Sequence, residues 1–231
     1  NQVGLIDLHK NLHNRPDLFP DALHPIKEGA TILAQTVYEN ISQDFGGLKL
    51  ATPFTDNMVL QRNKPIVVYG TANGNELVEV HFNQQKNTAI ADTYGKWKVS
   101  FPALSSGGTY QMTIQSNKKE IILKNIVIGD VWFCSGQSNM LFELIKSKNG
   151  KEEAKQANAN SNIRLFNSKI LRDTDDTAWD SITMAKTNQL EFFSGKWAVC
   201  DSITAKDFSA IAYHFGKKIA FEENVPIGLI Q

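Results

Sequence analysis

Ser138 lies where a serine hydroxyl can act as a nucleophile. A nearly continuous apolar run, residues 126–134, precedes it, and Gly136, Gln137 and Asn139 surround it. A buried strand that ends in a tight turn presents a hydroxyl at the carboxyl edge of a sheet, where N–H groups of the turn are free to bind an oxyanion. The pattern therefore indicates acyl transfer, although a Ser-Asn turn also fits a purely structural cap.

Asp21 and His24 form the second candidate group, in a loop between Pro20 and Pro25. A serine nucleophile needs a general base, and that base needs a carboxylate to orient it. The spacing lets the carboxylate bind one ring nitrogen while the other ring nitrogen faces a serine. The same two residues also fit a cap for the helix that starts near Lys27, so both interpretations stay open at this point.

The sequence has no pattern for a metal ion, a nucleotide cofactor or a nucleic acid. It lacks an HExxH motif, paired Cys/His spacing, a calcium loop, a GxGxxG motif and a Walker loop. The 24 Lys plus Arg balance the 24 Asp plus Glu, so there is no basic excess to neutralise phosphates. No run of eighteen apolar residues exists, so we expect no membrane span.

The composition is that of a globular protein. Of the 231 residues, 42% are hydrophobic and 10% are aromatic, which is enough for one large domain or two modest ones and excludes a disordered chain. Two cysteines, Cys134 and Cys200, are too few for a disulfide framework. They are either bridged to each other or both free, and we favour the free state.

Residues 1–45 are expected to form part of an α/β unit. The apolar run at residues 3–8 predicts a short buried strand, and a loop with three prolines follows it. A helix is then predicted from apolar residues at helical spacing: Ala30, Leu33, Ala34, Val37 and Ile41. A strand, a loop and one helix are too small to fold alone.

Residues 46–128 predict a small antiparallel β-sandwich. The β-type runs lie at residues 65–70, 77–82, 97–101, 110–114 and 121–127. Turn signals separate the runs, and no helical period interrupts them. Because this stretch holds no cluster of His, Cys or carboxylates, it is predicted to be a structural or carbohydrate-facing accessory domain.

Residues 129–231 return to an α/β pattern. Strands are predicted at residues 126–134, 162–166 and 224–231. A helix is predicted with Asp207 as its N-cap, and the apolar face consists of Phe208, Ile211, Ala212, Phe215 and Ile219. Since active-site loops follow the carboxyl ends of strands in an open parallel sheet, the predicted strand places Ser138 where such a site forms.

The segment at residues 129–140, Gly-Asp-Val-Trp-Phe-Cys-Ser-Gly-Gln-Ser-Asn-Met, resembles the nucleophile block of the sialate O-acetylesterases, which belong to the SGNH (GDSL-like) hydrolases. Further segments resemble landmarks of that family at residues 54–62, 65–70, 92–97, 208–213 and 225–230. The resemblance covers roughly residues 46–231. It implies an α/β SGNH-type, flavodoxin-like three-layer fold, and it implies Ser138 as nucleophile with its own N–H in the oxyanion hole. It also implies a secreted or periplasmic location.

The Asp21–His24 segment looks like the last block of the SGNH hydrolases, which supplies the catalytic histidine and its aspartate. That family places the nucleophile first, whereas in this chain His24 precedes Ser138. A junction between tandem modules explains the reversed order: residues 1–45 end an upstream unit, 46–128 form the accessory domain, and 129–231 begin a downstream unit. The alternative is a permuted arrangement in which His24 serves Ser138 directly.

The expected function is a serine carbohydrate esterase that removes O-acetyl groups from sialic acid or a related sugar, without a cofactor. The alternatives are an acetyl xylan esterase and a non-catalytic carbohydrate-binding fragment. The expected partners are an O-acetylated sugar and either the rest of the polypeptide or a second chain, which would complete the α/β sheet.

Overall fold

The structure is a computed structural model, which describes residues 5–9, 12, 15–117, 119–157, 162–171, 183 and 193–231. Three α-helices lie in this part of the chain with both ends described: α1 (Lys27–Ser42), α2 (Gly150–Gln156) and α3 (Ala210–Glu223). Two 3-10 helices span Pro16–Leu18 and Leu144–Lys146. The strands are β1 (Lys49–Leu50), β2 (Val59–Gln61), β3 (Ile66–Thr71), β4 (Leu77–Phe82), β5 (Gln85–Ile90), β6 (Lys96–Phe101), β7 (Gly107–Ser116), β8 (Lys119–Phe133), β9 (Ile163–Phe166), β10 (Lys169–Ile170), β11 (Phe193–Ser194), β12 (Trp197–Val199) and β13 (Ile227–Ile230).

Strand β8 connects an antiparallel part of the main sheet with a parallel part. The main sheet has the order β12-β9-β13-β8-β7-β4-β5, and β2 also pairs with β8. Up to Ile128, β8 pairs with the antiparallel strand β7, and from Asp130 onward it pairs with the parallel strand β13. The strand therefore runs without a break past residue 128, where the sequence predicts a domain boundary, and its last residues lie in a parallel sheet.

Gly129 lies where β8 exchanges one neighbour for the other. The carbonyl oxygen of Pro226 accepts the N–H of Asp130 at 2.9 Å, and a Cβ on residue 129 would lie 1.9 Å from that oxygen. The Asp130 carboxylate accepts hydrogen bonds from Gln61 and Arg62, at 3.0 and 2.9 Å, which tie β2 to the same point. Any side chain at position 129 would force the backbone before β13 away from β8.

The antiparallel part is held together by alternating inward side chains. The strands predicted at residues 65–70, 77–82, 97–101, 110–114 and 121–127 are confirmed as β3, β4, β6, β7 and the first part of β8. A three-stranded antiparallel sheet, β1-β3-β6, shares one hydrophobic core with the main sheet. This core also includes Phe166 and Trp197, beyond residue 128. A separate all-β accessory domain therefore stays a prediction.

The parallel strands carry a second core on the face where α2 and α3 lie. Its largest members include Leu144, Ile163, Phe208, Tyr213 and Leu229. On strand β13, a Cβ on Gly228 would come within 2.8 to 2.9 Å of Val59 and Trp197, which belong to the first core. Parallel strands with helices packed on one face give this part of the chain the expected mixed α/β character. The flavodoxin-like three-layer arrangement stays a prediction, because α2 and α3 join only the second core among the described residues.

The start and the buried face of α3 differ from the prediction. The N-cap is Ser209 rather than Asp207, and the Ser209 hydroxyl accepts the N–H of Ala212 at 3.2 Å. Ile211 and Phe215, predicted to face the core, are exposed, since the sheet packs against the small residues of the helix and Tyr213. Apolar spacing alone does not distinguish these two faces.

Helix α1 is confirmed, but the apolar face that was predicted to be buried in the core is not buried. Ile41 is 72% exposed, and the buried positions of the helix are Gly29 and Thr36. Hydrogen bonds to the β-sheet part occur at the helix's C-terminal end, where the carbonyl oxygen of Gln43 accepts the N–H of Gly74 at 2.8 Å. Most of the helix therefore lacks a neighbouring layer within the described residues.

The strand predicted at residues 3–8 is wrong for its described part. Residues 5–8 are not in a strand, and Leu5 is 89% exposed. Residues 3 and 4 lie outside the described part of the chain. A parallel strand needs a neighbour to pair with, and the described residues offer none at this position.

The cysteines are free, as the sequence analysis favours. Cys134 is half-buried and Cys200 is buried. Burial raises the pKa of Cys200 to about 12, so this thiol stays protonated at physiological pH.

The described helices are each too short or too polar to cross a membrane.

We expect the substitution Gly129→Ala to destabilise the protein by about 2–3 kcal/mol or more, because the new methyl group overlaps the Pro226 carbonyl oxygen. Gly47→Ala is the matched control, because its new methyl group meets no atom within 4 Å. The only expected loss of stability there, about 1 kcal/mol, comes from placing alanine at a positive φ of 70°. Urea unfolding of both variants measures the difference. An equal or smaller loss in Gly129→Ala would contradict the proposed role of this contact.

Candidate active site

Ser138 lies in a turn that follows the end of β8 directly. The Cys134 N–H donates to the carbonyl oxygen of Ile230 at 2.7 Å, which extends the parallel pairing by one residue. The chain then turns, and the Met140 N–H donates to the carbonyl oxygen of Gln137 at 2.9 Å. Ser138 is thus an inner residue of a closed turn at the carboxyl end of a parallel strand, as the sequence predicts.

The hydroxyl and the N–H of Ser138 are both available to a ligand. Ser138 is exposed, and neither group makes a hydrogen bond within the described residues. A structural cap would instead use the hydroxyl to bind a nearby backbone group. The geometry therefore disfavours the capping interpretation and leaves the Ser138 hydroxyl exposed to solvent.

The N-terminal end of α3 binds the segment that follows this turn, residues 142–143. The Ala210 N–H donates to the carbonyl oxygen of Phe142 at 2.8 Å, and Glu143 forms a β-bridge with Ser209. Gln231, directly after β13, accepts the N–H of Ser209 on its side-chain oxygen at 2.6 Å. The ends of β8 and β13 and the start of α3 therefore meet around the turn.

Sequence reasoning missed Ser209 and Gln231 as parts of this site. Ser209 carries a weak signal, because a serine just before an apolar helical repeat is a common N-cap. Gln231 carries none, since its role depends on how β13 and α3 pack. Met140 lies within the segment that resembles a nucleophile block, but nothing in the sequence shows that Ser209 contacts it.

Asp21 and His24 form a hydrogen-bonded pair, as predicted. The Nδ1 atom of His24 lies 2.7 Å from Oδ2 of Asp21, while Oδ1 accepts the N–H groups of Leu23 and His24 at 3.0 and 2.7 Å. The backbone bond from His24, its side-chain bond and the backbone bond from Leu23 lower the pKa of Asp21 to about 2. The carboxylate is therefore ionised and oriented toward the imidazole.

The capping interpretation of this pair is wrong. Helix α1 begins at Lys27, its N-cap is Ile26, and no side chain caps it. The His24 side chain is 82% exposed, and its second ring nitrogen has no partner in the described residues. The loop thus presents an oriented imidazole to the surroundings rather than supporting the helix.

The structure does not join the pair to Ser138. No hydrogen bond or ion pair links residues 15–26 with residues 134–142 in the described part of the chain. The three candidate residues therefore form two separate groups, one with a serine and the other with an oriented histidine.

No metal-binding group accompanies either candidate. Among the described residues, no three His, Cys, Asp or Glu side chains lie close enough to hold an ion. The groups that are present, a serine hydroxyl and a carboxylate-bound imidazole, are suited to nucleophilic attack and proton transfer.

No family model matches the chain. The sialate O-acetylesterase of Rattus norvegicus is 25% identical over 203 residues, which are 80% of this chain and 35% of the rat protein. The sialate O-acetylesterase of Homo sapiens is 24% identical over 198 residues, or 80% of this chain and 36% of the human protein. This chain thus spans about a third of the length of these relatives.

A solved structure is similar as well. The crystal structure of a carbohydrate acetylesterase from Xanthomonas citri superimposes with a TM-score of 0.68 at 29% identity. The match covers 79% of this chain and 39% of that one. The relatives by sequence and by structure therefore agree in acting on acetyl esters of carbohydrates.

The Asp21 carboxyl is expected to titrate near pH 2 in carboxyl-carbon NMR of the folded chain, because three hydrogen bonds stabilise its charged form. A folded pKa below the ordinary value means that this stabilisation is complete above about pH 4 and is lost as the pH falls through 2. In His24→Ala the backbone bonds remain while the imidazole is lost, so the midpoint should rise. A midpoint near 3.8 in the unmodified chain would contradict the hydrogen-bonded pair.

Proposed function

Because the chain belongs to a sialate O-acetylesterase-like family, we propose that it contributes Ser138 as nucleophile to an esterase removing O-acetyl groups from sialic acid or a related sugar. The observation that carries the proposal is the exposed Ser138 hydroxyl, which forms no hydrogen bond with any described residue and lies in a closed turn at the carboxyl end of β8. This is the position at which open α/β sheets place their reactive groups.

The proposed reaction passes through an acyl-serine. The Ser138 Oγ attacks the acetyl carbonyl carbon, and the N–H of Ser138 binds the oxyanion that forms. A histidine takes the hydroxyl proton and delivers it to the departing sugar oxygen as the ester bond breaks. Water then attacks the acyl-serine with help from the same base, which releases acetate and restores the serine.

We propose that Asp21 and His24 serve a different serine. The pair is fully assembled without Ser138, and the predicted core residues of α1 beside it are exposed or only half-buried. An exposed apolar stripe next to an oriented histidine fits the end of an upstream SGNH unit, whose own serine would complete that site. In this arrangement the histidine for Ser138 comes from the part of the protein that follows β13.

The surroundings of Ser138 support a further covering element. Large apolar side chains lie exposed around the turn and on the adjacent face of α3: Trp132, Phe133, Leu141, Phe142, Ile211 and Phe215. The matches cover only 35% and 36% of the rat and human proteins, so these relatives have long parts that this chain does not match. We therefore propose that the rest of the polypeptide, rather than a second chain, packs over this patch. The proposed secreted or periplasmic location rests on the family resemblance alone.

In the full-length protein, adding Ser138→Ala to His24→Ala should reduce acetate release by at least about a thousandfold, because His24→Ala inactivates the proposed upstream site and Ser138→Ala removes the nucleophile of the other one. Ser135→Ala, an exposed serine three residues earlier, is the matched control and should retain activity. Acetate release from O-acetylated sialic acid and from acetylated xylan, measured side by side, separates the two candidate substrates. Undiminished release by Ser138→Ala would refute the nucleophile.

His24→Ala provides the test of the tandem arrangement. We expect it to leave the hydrolysis that depends on Ser138 within about twofold of the unmodified full-length protein, because the histidine acts on another serine. Labelling by an organophosphonate, followed by peptide mapping, identifies the serine at which each variant no longer reacts. Loss of labelling at Ser138 in His24→Ala would instead establish the permuted arrangement.

A further inference from the structure

Ser209 contacts Met140, the last residue of the turn that carries Ser138. The Ser209 hydroxyl donates to the sulfur of Met140 at 3.2 Å and also accepts the N–H of Ala212 at 3.2 Å. Ser209 is fully buried, so its single hydroxyl uses both its donor and its acceptor capacity inside the protein. One side chain thus joins the start of α3 to the turn.

Met140 has a second close neighbour besides Ser209. A Cβ on Gly136 would lie 3.2 Å from the Cβ of Met140, so little space separates the two residues. The Met140 N–H closes the turn by donating to the carbonyl oxygen of Gln137. Because Ser138 lies between Gln137 and Met140, a shift of Met140 changes the direction of the Ser138 hydroxyl and N–H.

Gln231 fixes the other end of this connection. Its side-chain oxygen accepts the N–H of Ser209 at 2.6 Å, while its backbone N–H donates to the carbonyl oxygen of Phe166 at 3.0 Å. Ser209 is therefore tied to the parallel strands β9 and β13 rather than to α3 alone. The turn, the helix and the sheet are joined through one buried serine.

We propose that Ser209 is a positioning residue for the esterase reaction, which orients the Ser138 turn through Met140 and is itself held by Gln231. The inference rests on the proposed role of Ser138 as nucleophile. Ser209 touches neither the substrate nor the reacting atoms in this scheme. Its contribution is to keep the hydroxyl and the oxyanion-binding N–H of Ser138 in the reactive orientation.

The test uses steady-state hydrolysis of O-acetylated sialic acid by the full-length protein, and the rate that remains in Ser138→Ala is subtracted so that only the activity of the Ser138 site is compared. The melting temperature is measured for every variant. Met140→Leu removes the sulfur acceptor but keeps the side-chain volume and the helix cap. Met140→Leu and Ser209→Ala should each lower kcat about 10- to 100-fold with KM within about twofold, because misplacement of a reacting group costs rate rather than binding. Ser209→Thr keeps the hydroxyl and should restore kcat to within about threefold.

Ser116→Ala is the control for a purely structural effect. Ser116 is also a buried serine whose hydroxyl makes two hydrogen bonds, to Glu76 and Leu77, but it lies in the antiparallel part of the sheet. Its loss should lower the melting temperature without changing kcat. An unchanged kcat in Met140→Leu and Ser209→Ala, together with reduced activity in Ser138→Ala, would overturn the positioning role alone. Full activity in Ser138→Ala would overturn the nucleophile and the positioning role with it.

Discussion

The close approach of Pro226 to Gly129 is the constraint on which the rest of the structure depends. At this point β8 leaves its antiparallel neighbour and gains a parallel one, and the Asp130 N–H binds the Pro226 carbonyl oxygen at 2.9 Å. The Arg62 N–H donates to the Gly129 carbonyl oxygen at 2.7 Å from the side of β2. Since both flanking segments bind the backbone here, the direction of the last four residues of β8 is fixed, and with it the start of the Ser138 turn.

Because of this arrangement, β8 links the two hydrophobic cores. Ile126 and Ile128 lie in the core of the antiparallel part, while the end of β8 pairs with β13, whose Leu229 lies in the core beneath α3. Trp197 strengthens the link, because its indole N–H donates to the carbonyl oxygen of Pro53 at 2.9 Å. A change in the antiparallel part can therefore reach the candidate site through the strand itself, without a mobile linker between the two.

The sequence predicted the features that depend on local pattern and missed those that depend on tertiary contacts. The strands of the antiparallel part alternate in hydrophobicity, so β4 and β6 were predictable. Strand β5 was not, because it is polar and exposed at the sheet edge. The predictions of the buried helix faces were wrong for a related reason. Ile41 and Phe215 have apolar spacing, but whether a neighbour covers them is decided by parts of the protein far away in sequence.

The two candidate groups differ in the same way, and this difference explains why one was predicted in full and the other only in part. Asp21 is oriented by hydrogen bonds from residues two and three positions further on, so its pairing with His24 needs no distant contact. The Ser138 turn instead depends on α3 and β13, which come about seventy to ninety residues later in the chain. A locally built pair keeps its geometry without any distant contact, as the proposed tandem arrangement requires. A serine held by distant elements keeps its geometry only if the surrounding sheet is built, which links the orientation of Ser138 to the folding of the whole α/β part.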